Sequence, residues 1–214
     1  MKKLNILFTM LFICASVWAQ DEGDFSVFDK DDKDDFQTIV GSGSVGGYGA
    51  LSIGYTEIDG RNALIFGARG GVVLGHVFTM GFGGAGFIND YKFDDYYNLD
   101  ASLAGGYGGV FFEFTAAPKF PVHISTPVLI GVGGVAYTVW DDYDNDYYHD
   151  NYVEDSEVFM VIEPGVEMEF NFTRFFRFAI YGNYRFTSNI NLYNTPSDAL
   201  QGYALGVTLK FGKF

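Results

Sequence analysis

Residues 203–214 read YALGVTLKFGKF, and large apolar side chains alternate there with small or polar ones almost to the end of the chain. The apolar positions are Tyr203, Leu205, Val207, Leu209 and Phe211. A period of two predicts a β-strand with one apolar face and one polar face. Such a face packs against either a protein core or lipid, and the rest of the chain indicates which.

The N-terminus has the pattern of an export signal that ends at residue 19. A positive start, Met1-Lys2-Lys3, precedes an apolar run over 4–17 that is too short to cross a bilayer as a helix. The sequence Val17-Trp18-Ala19 predicts cleavage before Gln20. The only cysteine, Cys14, lies in this segment, so the predicted mature chain has no disulfide and no cysteine-ligated metal.

The predicted mature chain is strongly acidic. Removing Lys2 and Lys3 from the 13 basic residues leaves 11 against 27 acidic ones, a net charge of −16. This charge excludes nucleic acid as a partner, because no basic surface remains to neutralise phosphates. The acidic residues 20–40 predict a disordered periplasmic leader, followed by a single folded domain over 41–214.

Beyond residue 19 no stretch is apolar enough to form a membrane helix, but a barrel strand needs only about 9–11 residues, half of them facing inward. Eight strands are predicted, at approximately 48–58, 62–74, 77–88, 99–115, 120–139, 158–172, 175–187 and 203–214. Asp59-Gly60 is a two-residue hairpin signal. Pro127 predicts a bulge or bend in the fifth strand.

The predicted connections alternate in length. Those after the second, fourth and sixth strands are short, at 75–76, 116–119 and 173–174, and those after the third, fifth and seventh are long, at 89–98, 140–157 and 188–201. Outer-membrane barrels have short periplasmic turns and long external loops. The pattern therefore favours an all-β fold, an eight-stranded antiparallel up-and-down transmembrane β-barrel with both termini in the periplasm.

Several stretches resemble small, uncharacterised outer-membrane β-barrel proteins of Bacteroidetes-type bacteria. They are Asp59-Gly60, FGARGG at 66–71, GGYGG at 105–109, VIEPGV at 161–166 and KFGKF at 210–214. The resemblance implies an eight-stranded outer-membrane barrel and carries over no catalytic residues. It also implies that Phe211 and Phe214 form the signal that the barrel-assembly machinery reads. Phe214 is out of phase with the alternation that ends at Phe211.

The predicted inward faces of the strands carry four basic and four acidic residues: Arg69, Glu113, Glu163, Glu167, Glu169, Arg177, Arg185 and Lys210. The interior of an eight-stranded barrel is just wide enough for side chains. A plug of paired charges is the favoured interpretation, because an unpaired buried charge is costly. A charged gate or narrow ion path is the alternative.

The stretch 141–155, DDYDNDYYHDNYVED, is rich in acids, and its candidate metal ligands are Asp142, Asp144, Asp146 and Asp150. Carboxylates suit Ca²⁺ or Mg²⁺, but the spacing matches no EF-hand and the required glycine is absent. A solvated acidic loop without a specific metal is therefore preferred. Divalent cations that bridge this loop to lipopolysaccharide are the alternative.

The histidines give little support for catalysis. A lipid-A-modifying enzyme would need a histidine near a nucleophile or an acid. His123 has Ser125 on the same face but no evident orienting acid, while His76 and His149 lie in a turn and a loop. The glycine-rich run 81–86 lacks the residues of a phosphate-binding loop. An enzyme is disfavoured, and no cofactor is predicted.

Together these patterns predict a protein of the outer membrane of a Gram-negative bacterium with a structural or interaction role. Its expected partners are outer-membrane lipid, lipopolysaccharide and the barrel-assembly machinery. A narrow pore or a small-solute binding barrel is the first alternative, and a lipid-A-modifying enzyme is the second. The rival fold is a soluble lipocalin-like barrel, with the apolar face turned inward and the arginines outside.

Overall fold

A computed structural model describes residues 45–94, 99–140, 152–192 and 194–214. All of them belong to one compact unit of the chain, residues 43–214. The predicted signal peptide, the predicted acidic leader and the acidic residues 141–151 lie outside the described residues. Among the described residues, no helix is long and apolar enough to cross a membrane.

The described chain is built from antiparallel strands. They are β1 (Val45–Ile58), β2 (Arg61–Leu74), β3 (Phe78–Asn89), β4 (Lys92–Asp94), β5 (Leu99–Ala116), β6 (Val122–Trp140), β7 (Tyr152–Asn171), β8 (Phe176–Thr187) and β9 (Gly202–Lys213). The short β4 continues β3 after a two-residue interruption and pairs with the start of β5. Eight long strands therefore form the barrel wall.

The strand order confirms the predicted fold. Each long strand pairs antiparallel with the next one in sequence, and β1 pairs with β9 over ten residues, which closes the sheet. Closure leaves no long strand with an unpaired edge.

We call the end with the short β2–β3, β5–β6 and β7–β8 connections the turn end, and the opposite end the loop end.

The two-residue turn after β1 forms as its sequence predicts. Ile58 pairs with Arg61, and the two residues between them, Asp59 and Gly60, have φ values of 56° and 68°. Two consecutive positive φ values define the type I′ turn, whose twist matches that of the flanking strands.

The structure differs from two local predictions on β6 and β7, the first of which was a bulge or bend at Pro127. Pro127 causes no bulge: Ser125 pairs with Glu167 and Val128 with Pro164, so the register is unchanged and only the intervening pairs are missing. A proline has no N–H to donate to the ladder, which accounts for the gap. The register shift lies instead between Tyr137 and Thr138.

The sequence analysis starts the sixth strand at residue 158, which is six residues too late for the corresponding strand β7. β7 starts at Tyr152, which pairs with Val139, so the connection predicted over 140–157 is shorter than expected. The acidic residues Glu154 and Asp155 consequently belong to the strand.

Glycines let neighbouring strands approach closely on the narrow inner surface. Gly109 pairs with Gly131 across β5 and β6, and a Cβ atom at either position would lie 2.1 Å from a backbone oxygen of the other strand. A side chain could not fit there without moving the backbone. Within the GGYGG stretch at 105–109, the close approach of β5 and β6 therefore requires glycine at position 109.

The two faces of the wall differ sharply. Outward-facing apolar side chains are exposed, for example Leu51 at 61%, Phe82 at 75% and Val158 at 75%. Inward-facing charged side chains are buried, with Arg185 and Lys210 at 0%. The soluble lipocalin-like alternative, with arginines outside, is therefore wrong.

Candidate functional site: the barrel lumen

Lys210 lies at the centre of a buried charge network near the turn end. Its Nζ atom is 2.9 Å from Glu113 Oε2, 2.8 Å from Glu167 Oε2 and 2.6 Å from Glu169 Oε1. Glu113 lies on β5, and Glu167 and Glu169 lie two residues apart on β7, so the network joins β9 to two other strands across the narrow lumen. We call these three glutamates the glutamate cluster.

Two arginines bind the outer sides of the glutamate cluster. Arg69 Nη2 is 3.1 Å from Glu113 Oε2 and 2.6 Å from Glu167 Oε2. Arg177 Nη1 donates to Glu169 Oε2 over 3.2 Å. Three cations therefore face three carboxylates, and the network is neutral without any external ion. This matters because an uncompensated charge in such a buried site would be strongly destabilising.

The structure supplies the orienting acid that the sequence did not reveal for His123. Nε2 of His123 is 3.0 Å from Glu169 Oε2, and Ser125 Oγ donates to the other oxygen of the same carboxylate. The serine and the histidine thus both bind Glu169 instead of each other. All three side chains are buried, whereas a nucleophile must be reached by its substrate.

The glutamate cluster has the oxygen density of a metal site, but a lysine occupies it. One carboxylate oxygen from each of Glu113, Glu167 and Glu169 lies within 4.8 Å of the other two. Lys210 Nζ is within hydrogen-bond distance of all three side chains, where a cation would otherwise bind. The predicted loop ligands Asp142, Asp144, Asp146 and Asp150 lie outside the described residues.

Glu163 and Arg185 stand apart from this network, although the sequence places them on the same inner face. Glu163 accepts hydrogen bonds from the Tyr107 hydroxyl and, over 2.7 Å, from Asn183 Nδ2. Arg185 Nε donates to the carbonyl of Leu200 over 2.7 Å. Within the described ranges, neither residue has an oppositely charged group within 4.0 Å.

An apolar layer closes the lumen at the loop end. Ile58, Leu103 and Leu200 are each at 0% exposure, and they belong to one buried hydrophobic cluster. Leu200 comes from the connection after β8, which folds back into the barrel mouth and is held by Asp59 N donating to Ala199 O over 3.1 Å. The sequence predicted a long connection here but not its burial.

The C-terminal residue closes the turn end. The Phe214 ring lies 3.8 Å from the Arg177 guanidinium and 5.4 Å from the Tyr48 ring, while its carbonyl oxygen is 2.7 Å from His76 Nδ1. Phe211, in contrast, faces outward and is 41% exposed. The phase break seen in the sequence therefore marks the point where the chain turns under the lumen. The role of these two residues as an assembly signal stays a prediction.

Comparison with solved structures identifies the fold. The crystal structure of Neisserial surface protein A (NspA) matches with a TM-score of 0.50 and 12% identity, over 79% of this chain and 97% of that one. This chain has the fold of eight-stranded outer-membrane barrel proteins. No protein-family model and no curated protein matches the sequence.

Two further outer-membrane proteins give weaker superpositions. The N-terminal β-barrel domain of Pseudomonas aeruginosa OprF has a TM-score of 0.42 and 10% identity, over 79% of this chain and 98% of that one. Ail, the attachment invasion locus protein of Yersinia pestis, in complex with the heparin analogue sucrose octasulfate, has a TM-score of 0.44 and 13% identity, over 78% and 97%. Both TM-scores are below 0.5, and the NspA match, at 12% identity, is evidence of the fold alone.

Proposed function

We propose that this protein spans the outer membrane of a Gram-negative bacterium and has a structural or interaction role, not that of a pore or an enzyme. The observation that carries the proposal is the inverted distribution of side chains, with an apolar outer wall around a closed, charged interior. The resemblance of its glycine-rich stretches to barrels of Bacteroidetes-type bacteria supports a source in that group.

The outer wall has the banding expected of a lipid-facing surface. Exposed aromatic side chains ring both ends, with Tyr55, Tyr91 and Tyr203 at the loop end and Phe120, Phe172 and Phe175 at the turn end. The wall between them exposes mainly aliphatic side chains and methionine. Aromatic girdles around an apolar band are the pattern of outer-membrane barrels. Contiguous apolar surface on this scale favours lipid and the acyl chains of lipopolysaccharide as direct partners.

Charge differs between the two ends. The loop end exposes Glu57, Asp90 and Asp198, whereas the turn end exposes Lys119, Arg174 and Lys213. Together with the loop lengths, this supports an external loop end and a periplasmic turn end. An acidic external surface favours partners that are cationic or that are bridged by divalent cations.

The side chains that fill the lumen favour a closed barrel over an open pore. It is blocked near the turn end by the glutamate cluster with its cations and at the loop end by the apolar layer around Leu200. Opening a path would need both layers to rearrange, with loss of the ion pairs of Lys210 and burial of Leu200.

We expect the protein to remain in the outer-membrane fraction until detergent is added, to run with heat-modifiable mobility, and to give no steady single-channel current in planar bilayers. Heat-modifiable mobility verifies that each sample contains folded barrel before the conductance is measured. Release without detergent would contradict membrane insertion. Steady, step-like currents from the folded sample would contradict the closed lumen and favour the pore.

A further inference from the structure

Three exposed basic side chains lie along one arc of the rim at the turn end. They are Lys119 in the β5–β6 turn, Arg174 in the β7–β8 turn and Lys213, the last residue of β9. Hydrogen bonds hold these segments side by side. Asn171 N, before the β7–β8 turn, donates to Pro121 O over 2.8 Å, and Gly212 N donates to Phe175 O over 2.9 Å. We call the three cations the basic arc.

The basic arc has no acidic counterpart at this end of the barrel. Within the described ranges, no carboxylate oxygen lies within 4.0 Å of any of its cations. The acidic residues that are fully exposed in the same ranges lie at the loop end, namely Glu57, Asp90 and Asp198. On the other side of the turn-end rim, Val45 and the Gly75-His76 turn contribute no lysine or arginine. The positive charge is therefore concentrated on the side of β5 to β9.

Each cation of the basic arc has an exposed phenylalanine next to it. The pairs are Lys119 with Phe120, Arg174 with Phe175, and Lys213 with Phe211. Phe211 lies two residues before Lys213 and hence on the same outward face of β9. Aromatic rings settle at the membrane interface, while lysine and arginine extend their charged ends towards the headgroups. The same two-level arrangement thus occurs three times, and it matches a lipid with a charged headgroup above its acyl chains.

We propose that the basic arc binds the headgroups of anionic phospholipids, such as phosphatidylglycerol, in the periplasmic leaflet of the outer membrane. The inference rests on the proposed membrane location and adds a lipid selectivity to it. Lysine and arginine near a membrane surface attract lipids with a net negative charge, whereas a zwitterionic headgroup such as phosphatidylcholine offers none. Arg174, in the middle of the arc, offers a planar guanidinium that binds phosphate through two parallel N–H donors.

Electron paramagnetic resonance of spin-labelled lipids measures this selectivity on the full chain, refolded into phosphatidylcholine vesicles. Lipids in contact with the barrel wall give a motionally restricted component of the spectrum. At low salt we expect acyl-labelled phosphatidylglycerol to associate with the wild type roughly two- to fivefold more strongly than acyl-labelled phosphatidylcholine, about the effect of one cation at the membrane surface. Salt screens exposed charges, so the preference should fall towards equality at about 1 M NaCl.

Substitutions locate the preference on the barrel. The triple variant Lys119→Gln, Arg174→Gln, Lys213→Gln should bind the two labelled lipids equally, and Arg174→Gln alone should lose part of the preference. Lys92→Gln is the matched control for the single substitution, because Lys92 is an exposed lysine on β4 at the loop end. It should keep the wild-type preference. Heat-modifiable mobility verifies that each variant is folded before the spectra are recorded.

Equal association of the two lipids with the wild type at low salt would overturn the proposal and leave the membrane location intact. The basic arc would then be balanced by another anion, such as the chain's own acidic residues 20–40. A preference that persists in the triple variant, or that Lys92→Gln reduces as much as Arg174→Gln does, would overturn it as well. Absence of a restricted component for both lipids would contradict the membrane location itself, and the proposal with it.

Discussion

Replacing Lys210 with methionine should lower the free energy of unfolding by about 3–5 kcal/mol. The ammonium group of Lys210 contacts all three members of the glutamate cluster, and it is fully buried. Methionine has nearly the same length, so the change removes the charge and leaves most of the packing. Three carboxylates would then remain close together with only Arg69 and Arg177 to balance them.

Urea unfolding of the refolded barrel measures this loss. Lys213→Met provides the control, because Lys213 is an exposed lysine near the end of the same strand, and it should change the unfolding midpoint little. Adding Glu167→Gln to the Lys210→Met variant should recover part of the stability, since two cations then face two carboxylates. If Lys210→Met is no less stable than Lys213→Met, the lumen network does not hold the barrel together.

Ile180→Arg should cost about 2–4 kcal/mol of stability in lipid if the site lies near the bilayer midplane. Ile180 lies near the middle of β8, points outward and is 51% exposed. An arginine there would place its charge among acyl chains. In a water-soluble protein the same substitution at an exposed position would be almost neutral.

The control for this prediction is the same arginine placed at the end of the wall. Val45 begins β1 at the turn end and is 57% exposed, so Val45→Arg should cost only about 0–1 kcal/mol, as interfacial positions do. Folding yield into lipid vesicles, followed by heat-modifiable mobility, compares the two variants. Equal yields for Ile180→Arg, Val45→Arg and wild type would show that β8 does not face acyl chains.

The architecture could be predicted from sequence because its signals are local. The alternation from Tyr203 to Phe211 assigns each residue of β9 to a face, and Asp59-Gly60 specifies the first turn. Closure into eight strands follows from the count and from the alternating connection lengths. The bulge expected at Pro127 is absent because one missing N–H interrupts a ladder without shifting its register.

The pairing inside the lumen could not be predicted, since it depends on which strands face each other. Lys210 and Glu113 are 97 residues apart, and no local pattern relates them. The sequence placed Glu163 and Arg185 with the other six charges. In the structure both lie nearer the loop end and outside the network, since Glu163 is four residues before Glu167 on β7 and Arg185 is eight residues after Arg177 on β8. His123 and Glu169 are directly paired across β6 and β7, a register that only the structure supplies.

The sequence patterns also failed to predict that the connection after β8 is buried. Ile190, Leu192 and Leu200 are apolar residues within a stretch otherwise rich in Asn, Ser, Pro and Asp, and all three are buried. Ile190 and Leu192 have the spacing of a strand, but the alternation stops at Asn194, so periodicity predicted no element there. Apolar residues inside a polar loop of a narrow barrel are a feature that can indicate a mouth-closing segment.

Site-directed spin labelling determines which solvent the outer wall meets. Cys14 is the only cysteine, so a Cys14→Ser background accepts a single label at position 180, with position 198 as an exposed site at the loop end. In lipid vesicles, the label replacing Ile180 should collide with dissolved oxygen far more than with a water-soluble nickel chelate, and the label replacing Asp198 should show the reverse. A label at position 180 that is readily reached by the nickel chelate would mean that this wall faces water, and the proposed membrane location would be wrong.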